Sequence, residues 1–200
     1  MSELGTFVEL GFRHITDPGA FDHVLFLLAL AAVYRREDWR DALWVVTAFT
    51  LGHSLTLALA VTGALVLPTA VIEFLIPLTI VVTGLENIVV RRRAEALWHG
   101  RYRALFAGVF GLVHGAGFAN YLRSLFVDSI AIPLFGFNVG IELGQLVVLG
   151  LAGLLLAGLD RLLSGSSGYV PWRAYRWRVV GVSAGVALVA ARMAVERRPW

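Results

Sequence analysis

Six stretches of this chain run long and apolar with few charges inside them. They lie near Phe21–Tyr34, Ala42–Val66, Val71–Val90, Ala104–Phe126, Pro133–Leu159 and Val179–Val195.

 A helix rises about 1.5 Å per residue, so about 20 such residues cross about 30 Å of hydrocarbon. The stretch from Phe21 is short for that distance. It fits only if Asp22 and His23 sit within protein, or if the helix is tilted or partly re-entrant. The fifth stretch, Pro133–Leu159, is the longest.

Composition agrees with these runs. Hydrophobic residues make up 58% of the 200 and charged residues only 16%, against about 25% charged in an ordinary soluble domain. With no Cys in the chain, thiolate metal sites and cysteine catalysis are excluded. The expected fold is all-α: one polytopic transmembrane domain over residues 1–200, with six transmembrane helices. The segment Glu3–Ile15 alternates polar and apolar residues and reads as a short interfacial helix. No basic residue precedes an apolar core there, so it does not read as a secretory signal.

All 17 basic residues are arginines. Twelve of them fall in the segments joining spans one to two, three to four and five to six, and five fall elsewhere. The positive-inside rule then puts those three segments in the cytoplasm and both termini outside. Trp98, Trp172, Trp177 and Trp200 flank spans as interfacial anchors do. The arginines lie between apolar runs rather than forming a patch with interleaved aromatics, so no nucleic-acid partner is expected. Gly165–Gly168 reads as a flexible linker. Gly136, Gly140 and Gly144 recur every four residues, as do Gly111 and Gly115, a spacing that lets helix backbones approach closely in lipid.

Ionisable groups within hydrocarbon cost at least about 2.5 kcal/mol each, and they persist where they are partnered or functional. Span one opens with Asp22 and His23, span two holds His53, span three holds Glu73 and Glu86-Asn87, and span four holds His114. Span five carries Asn138, Glu142 and Gln145 on one stripe, opposite its glycines. Counting from span ends at about 1.5 Å per residue places His53, His114 and Glu142 near the midplane, and His23 and Glu73 near the outer surface. With no intramembrane arginine expected to pair with them, these imidazoles and carboxylates suit a divalent metal, and His14 can fold back across the Asp17-Pro18-Gly19 turn as an outer ligand. The candidate metal residues are therefore His14, Asp22, His23, His53, Glu73, His114 and Glu142. The structural alternatives are plain: each His as a helix–helix hydrogen-bonding partner, Glu86-Asn87 as a helix tie or an inner exit, Ser54 bonding back to a carbonyl, and His99 as a solvated loop residue. Pro77 is expected to disturb its helix, with Thr79 or Thr83 serving a freed carbonyl.

The segment His14–Phe26, with Asp22-His23 and Leu25-Phe26, resembles the opening signature of the HupE/UreJ family of membrane proteins. Thr47–Leu57, Phe110–Ala119 and Phe137–Gln145 are similar to further signatures. Val71-Ile-Glu73 with Glu86-Asn87 is similar to another, although Pro77 and Thr79 depart from the small residues usual there. The resemblance covers roughly residues 11–150. It implies a six-span nickel permease of the kind associated with hydrogenase and urease systems. Asp22, His23, His53, His114 and Glu142 match the family's polar positions. The expected cargo is a divalent metal ion, Ni2+ first, with Co2+ or Zn2+ as alternatives. The other expected partner is the lipid bilayer of a bacterial inner membrane, with a homo-oligomer left open. The competing expectation is a membrane-embedded zinc hydrolase acting on a lipid or peptide with the same histidines.

Overall fold

The computed structural model describes residues 2–17, 19, 21–89, 101–123, 130–164 and 172–200. Arg91, Arg92, Arg93, Trp98, His99 and the Gly165–Gly168 linker lie outside the described residues. The described residues form seven α-helices and no strand: α1 (Glu3–Thr16), α2 (Phe21–Ala31), α3 (Trp39–Val61), α4 (Thr69–Val89), α5 (Arg101–Arg123), α6 (Ala131–Ser164) and α7 (Trp172–Glu196). Four of these helices are long and apolar enough to cross a membrane, over Trp39–Val61, Thr69–Val89, Ala131–Leu162 and Trp172–Glu196.

Helix limits differ from the apolar runs where turn chemistry intervenes. α3 stops at Val61 rather than Val66, because the chain turns through Gly63 at φ 76°, a conformation glycine adopts at no steric cost. α6 and α7 extend beyond the expected spans into polar residues, since helical hydrogen bonding does not end where hydropathy falls.

The largest departure is at the beginning. Expected span one is an α2 of only 11 residues, about 16 Å long. The expected interfacial helix, α1, is packed lengthwise on α6 instead. Ser2 caps α1 by accepting the Gly5 N–H at 3.3 Å. The helix ends where Asp17, which precedes a proline, takes extended angles (φ −63°, ψ 124°). A following proline disfavours the α region in just this way. The Asp17 carboxylate then accepts the Gly19 N–H at 2.8 Å, holding the turn.

From there α2 continues along the same neighbour. Leu4 and Phe7 meet Gly136, Val8 and Phe12 meet Gly140, and Phe12 and Ile15 meet Gly144. Farther along α6, Leu28 and Ala31 pack with Leu149, Ala152 and Leu156. α1 and α2 are thus two pieces of one broken helix running in the same direction as α6.

Glycine makes the seams close. A Cβ at Gly11 would lie 2.0 Å from the Phe137 carbonyl oxygen, and one at Gly140 would lie 2.1 Å from that of Val8. The α3–α5 seam is built the same way and is also parallel: Gly52 meets the Gly108 carbonyl and Gly111 that of Phe49. α4 and α7 are antiparallel, with Phe74 beside Trp200 and Gly84 against Ser183 and Ala187.

The far end of the bundle holds buried arginines, contrary to the expectation of none. Arg103 donates to Glu86 at 2.6 Å and also to the Asn87 carbonyl oxygen. Arg178, only 4% exposed, pairs with Asp160 and donates to the carbonyls of Ala32 and Tyr34. Asn87 donates both amide protons, to the Ala29 carbonyl at 2.8 Å and to Ser183 Oγ at 3.2 Å. Four helices therefore meet at one buried amide.

Candidate metal centre

The break between α1 and α2 brings two imidazoles together, one from each piece. His14 lies near the end of α1 and His23 near the start of α2, with ring centroids 4.7 Å apart. His53 of α3 joins them, at 5.9 Å from His14 and 6.3 Å from His23. One ligand atom from each of these three residues lies within 4.8 Å of the others. His114 of α5 sits on the other side of His23, with centroids 5.3 Å apart.

Close helix contact sets the positions of His53 and His114. Gly115, next in sequence to His114, lies against the backbone of His53, where a Cβ would be 2.2 Å from the carbonyl oxygen. The surrounding wall is aromatic. Phe118 lies 4.0 Å from the His14 ring and stacks on Phe137, while Phe49 lies 5.1 Å from His114. Such a wall excludes competing hydrogen-bond donors and acceptors.

Most of the ring nitrogens at the centre are left without hydrogen-bond partners. Nε2 of His14, Nε2 of His23, both ring nitrogens of His53 and Nδ1 of His114 are buried and make no hydrogen bond, while Nδ1 of His23 faces the Asp22 carboxylate. Buried polar groups are ordinarily paired, so five partnerless imidazole nitrogens in one place call for an explanation. His114 does have one neighbour at its other nitrogen: Nε2 lies 3.1 Å from the Thr79 hydroxyl.

Asp22 supplies negative charge beside the cluster. Its Oδ1 lies 3.0 Å from His23 Nδ1 but accepts the His23 backbone N–H at 2.9 Å, while Oδ2 lies 3.3 Å from Arg197. Arg197 was not anticipated as a partner. It comes from the end of α7, remote in sequence, and no local pattern announces the contact.

The two remaining candidates lie apart from the grouped ligand atoms. Glu73 is exposed on α4 and Glu142 is half-buried on α6. The polar stripe of α6 contributes differently: Gln145, 1% exposed, accepts from Thr50 at 2.8 Å and ties α6 to α3. Ser54 donates to the Thr50 carbonyl at 2.6 Å, as a helix hydroxyl commonly does. On α4, Thr79 donates to the Ile76 carbonyl and Thr83 to that of Thr79.

The expected separation into an outer capture point and a midplane site is therefore replaced by one cluster containing His14, His23 and His53, with His114 beside it. Neutral imidazole is a good ligand for nickel, cobalt, zinc and copper, and the nearby carboxylate offsets cationic charge. The donor set fits such an ion.

No curated protein and no solved structure is matched by this chain. A family model described as HupE / UreJ protein matches residues 1–197. With that match running almost from end to end, the chain belongs to the HupE/UreJ family.

Proposed function

We propose that this protein binds a divalent transition-metal ion, Ni2+ first among the candidates, within the membrane and passes it across. The observation that carries the reading is the convergence of four histidines, with five of their buried ring nitrogens lacking a hydrogen-bond partner. A cation can take one lone pair from each of these rings, whereas protonation would place several positive charges within a few ångströms. His14, His23, His53 and His114 are the coordinating residues in this reading, and Asp22 is the charge-balancing carboxylate. Glu73 and Glu142 are assigned to the approach path.

In the same reading the chain spans a bacterial inner membrane six times. The broken α1–α2 helix counts as the first span, both termini lie outside, and the arginine-bearing end faces the cytoplasm. Broken helices at a membrane midplane are a recurrent way of building ion sites. An inner path is supported by a small cleft lined by Phe26, Leu30, Thr83, Glu86 and Arg103. Phe26 forms its boundary with the cluster, since its ring lies 5.8 Å from His114. Glu86 brings to the cleft a buried Oε1 without a hydrogen-bond partner.

Radioactive nickel uptake into proteoliposomes tests transport, with unlabelled cobalt and zinc as competitors. Uptake above that of empty vesicles, abolished by His23→Ala, is the expected result. Uptake equal to that of empty vesicles refutes it. A metal that survives purification in chelator favours the zinc hydrolase instead.

A further inference from the structure

The hydroxyl of Thr79 has one proton and two neighbours. It lies 2.7 Å from the Ile76 carbonyl oxygen and 3.1 Å from Nε2 of His114. Two oxygens 2.7 Å apart repel unless a proton lies between them, so the hydroxyl proton belongs on the line to Ile76. Toward His114 the hydroxyl then has only a lone pair to offer, and Nε2 must bring the proton. The location suits this arrangement. Pro77 lacks an N–H and so removes the helix bond to the Glu73 carbonyl, and Thr79, two residues on, bonds back to the Ile76 carbonyl in the adjoining turn.

From this geometry we propose that Thr79 is a positioning residue: it fixes His114 as the Nε2–H tautomer and reserves Nδ1 for a ligand. Nδ1 is the ring nitrogen of His114 that is buried without a hydrogen-bond partner. An imidazole's free nitrogen is chosen by the hydrogen bond that the other nitrogen makes. The proposal rests on the metal reading for the identity of the ligand, but the tautomer itself is a property of the metal-free protein.

The test is nitrogen NMR on protein carrying labelled histidine, with the His114 signals assigned by their loss in His114→Gln. In metal-free wild-type protein His114 is expected to have a protonated Nε2 and a bare Nδ1. Thr79→Ser retains that pattern, whereas Thr79→Val, close in shape but without the hydroxyl, loses it. Nickel affinity, measured on the same samples by titration calorimetry, is expected to fall about 10–100-fold in Thr79→Val and to recover in Thr79→Ser. A protonated Nδ1 in the wild type overturns the proposal, whether or not the variants fold. An unchanged tautomer and affinity in Thr79→Val also overturns it. Wild-type protein that shows the expected tautomer but binds no nickel overturns the metal reading and leaves the Thr79 assignment standing.

Discussion

Gly115 carries no functional group, yet its replacement by alanine is expected to damage the cluster. A Cβ there would lie 2.2 Å from the His53 carbonyl oxygen and 2.9 Å from His53 C and Cα. The opposing atoms are backbone, so no side chain can swing aside. The seam must open by about 1.2 Å before that contact reaches an ordinary 3.4 Å. Two effects compete in stability. Alanine in place of glycine favours a helix by about 1 kcal/mol, while overpacking costs about 1–3 kcal/mol. The net effect is therefore from about zero to 2 kcal/mol of destabilisation, small enough for the variant to fold.

Metal binding is the more sensitive measurement, because the displaced backbones are those of His53 and of the neighbour of His114. A loss on the order of 10–100-fold in nickel affinity is expected, the scale that follows when histidine ligands lose their orientation. Calorimetric titration of the detergent-solubilised protein measures it, with thermal unfolding followed in parallel. Gly150→Ala is the control, since an added Cβ there meets nothing within 4 Å. A Gly115→Ala protein that binds nickel like the wild type, with an unshifted melting temperature, would refute the claim that backbone contact sets the imidazole positions.

Further outcomes follow from other parts of the structure. Nickel binding should be lost in acid, because only the unprotonated ring can ligate; equilibrium dialysis at falling pH measures this, and binding that survives full protonation of the histidines contradicts imidazole ligation. Thr50→Val removes the donor to the buried Gln145 carbonyl oxygen and should lower stability by about 1–3 kcal/mol. Adding Gln145→Leu should recover part of that loss in denaturant titrations. Arg103→Met leaves the Glu86 carboxylate buried beside the cleft without its ion-pair partner, and should destabilise the protein by about 3–5 kcal/mol. Glu86→Gln on the same background should lessen the loss.

Much of the fold was legible because hydropathy and glycine spacing are local. The spans containing His53, Glu73 and Glu142 appear as long helices, and both glycine stripes lie on seams where the backbones approach closely. The depth of His23 was not legible. It had been reckoned from Phe21 as though a span began at the membrane surface there. α1 occupies the first stretch of the α6 face, so the start of α2 lies farther along α6 and His23 comes level with His53 and His114. Nor does spacing reveal that Arg103 and Arg178 pair within the bundle, because periodicity identifies a helix face without identifying its partner. Thr79 was noticed for its position after Pro77, but its approach to His114 depends on how α4 and α5 cross.

The amide of Asn87 has a consequence for biogenesis. Its bonds reach Ala29 on α2, Arg103 on α5 and Ser183 on α7, and α7 leaves the ribosome after the other helices that meet there. Until it arrives, the earlier helices hold an amide proton with no acceptor on α7, in surroundings that offer little water. α7 therefore acts as a keystone, closing the end of the bundle remote from the histidines only after α2, α4 and α5 have been made.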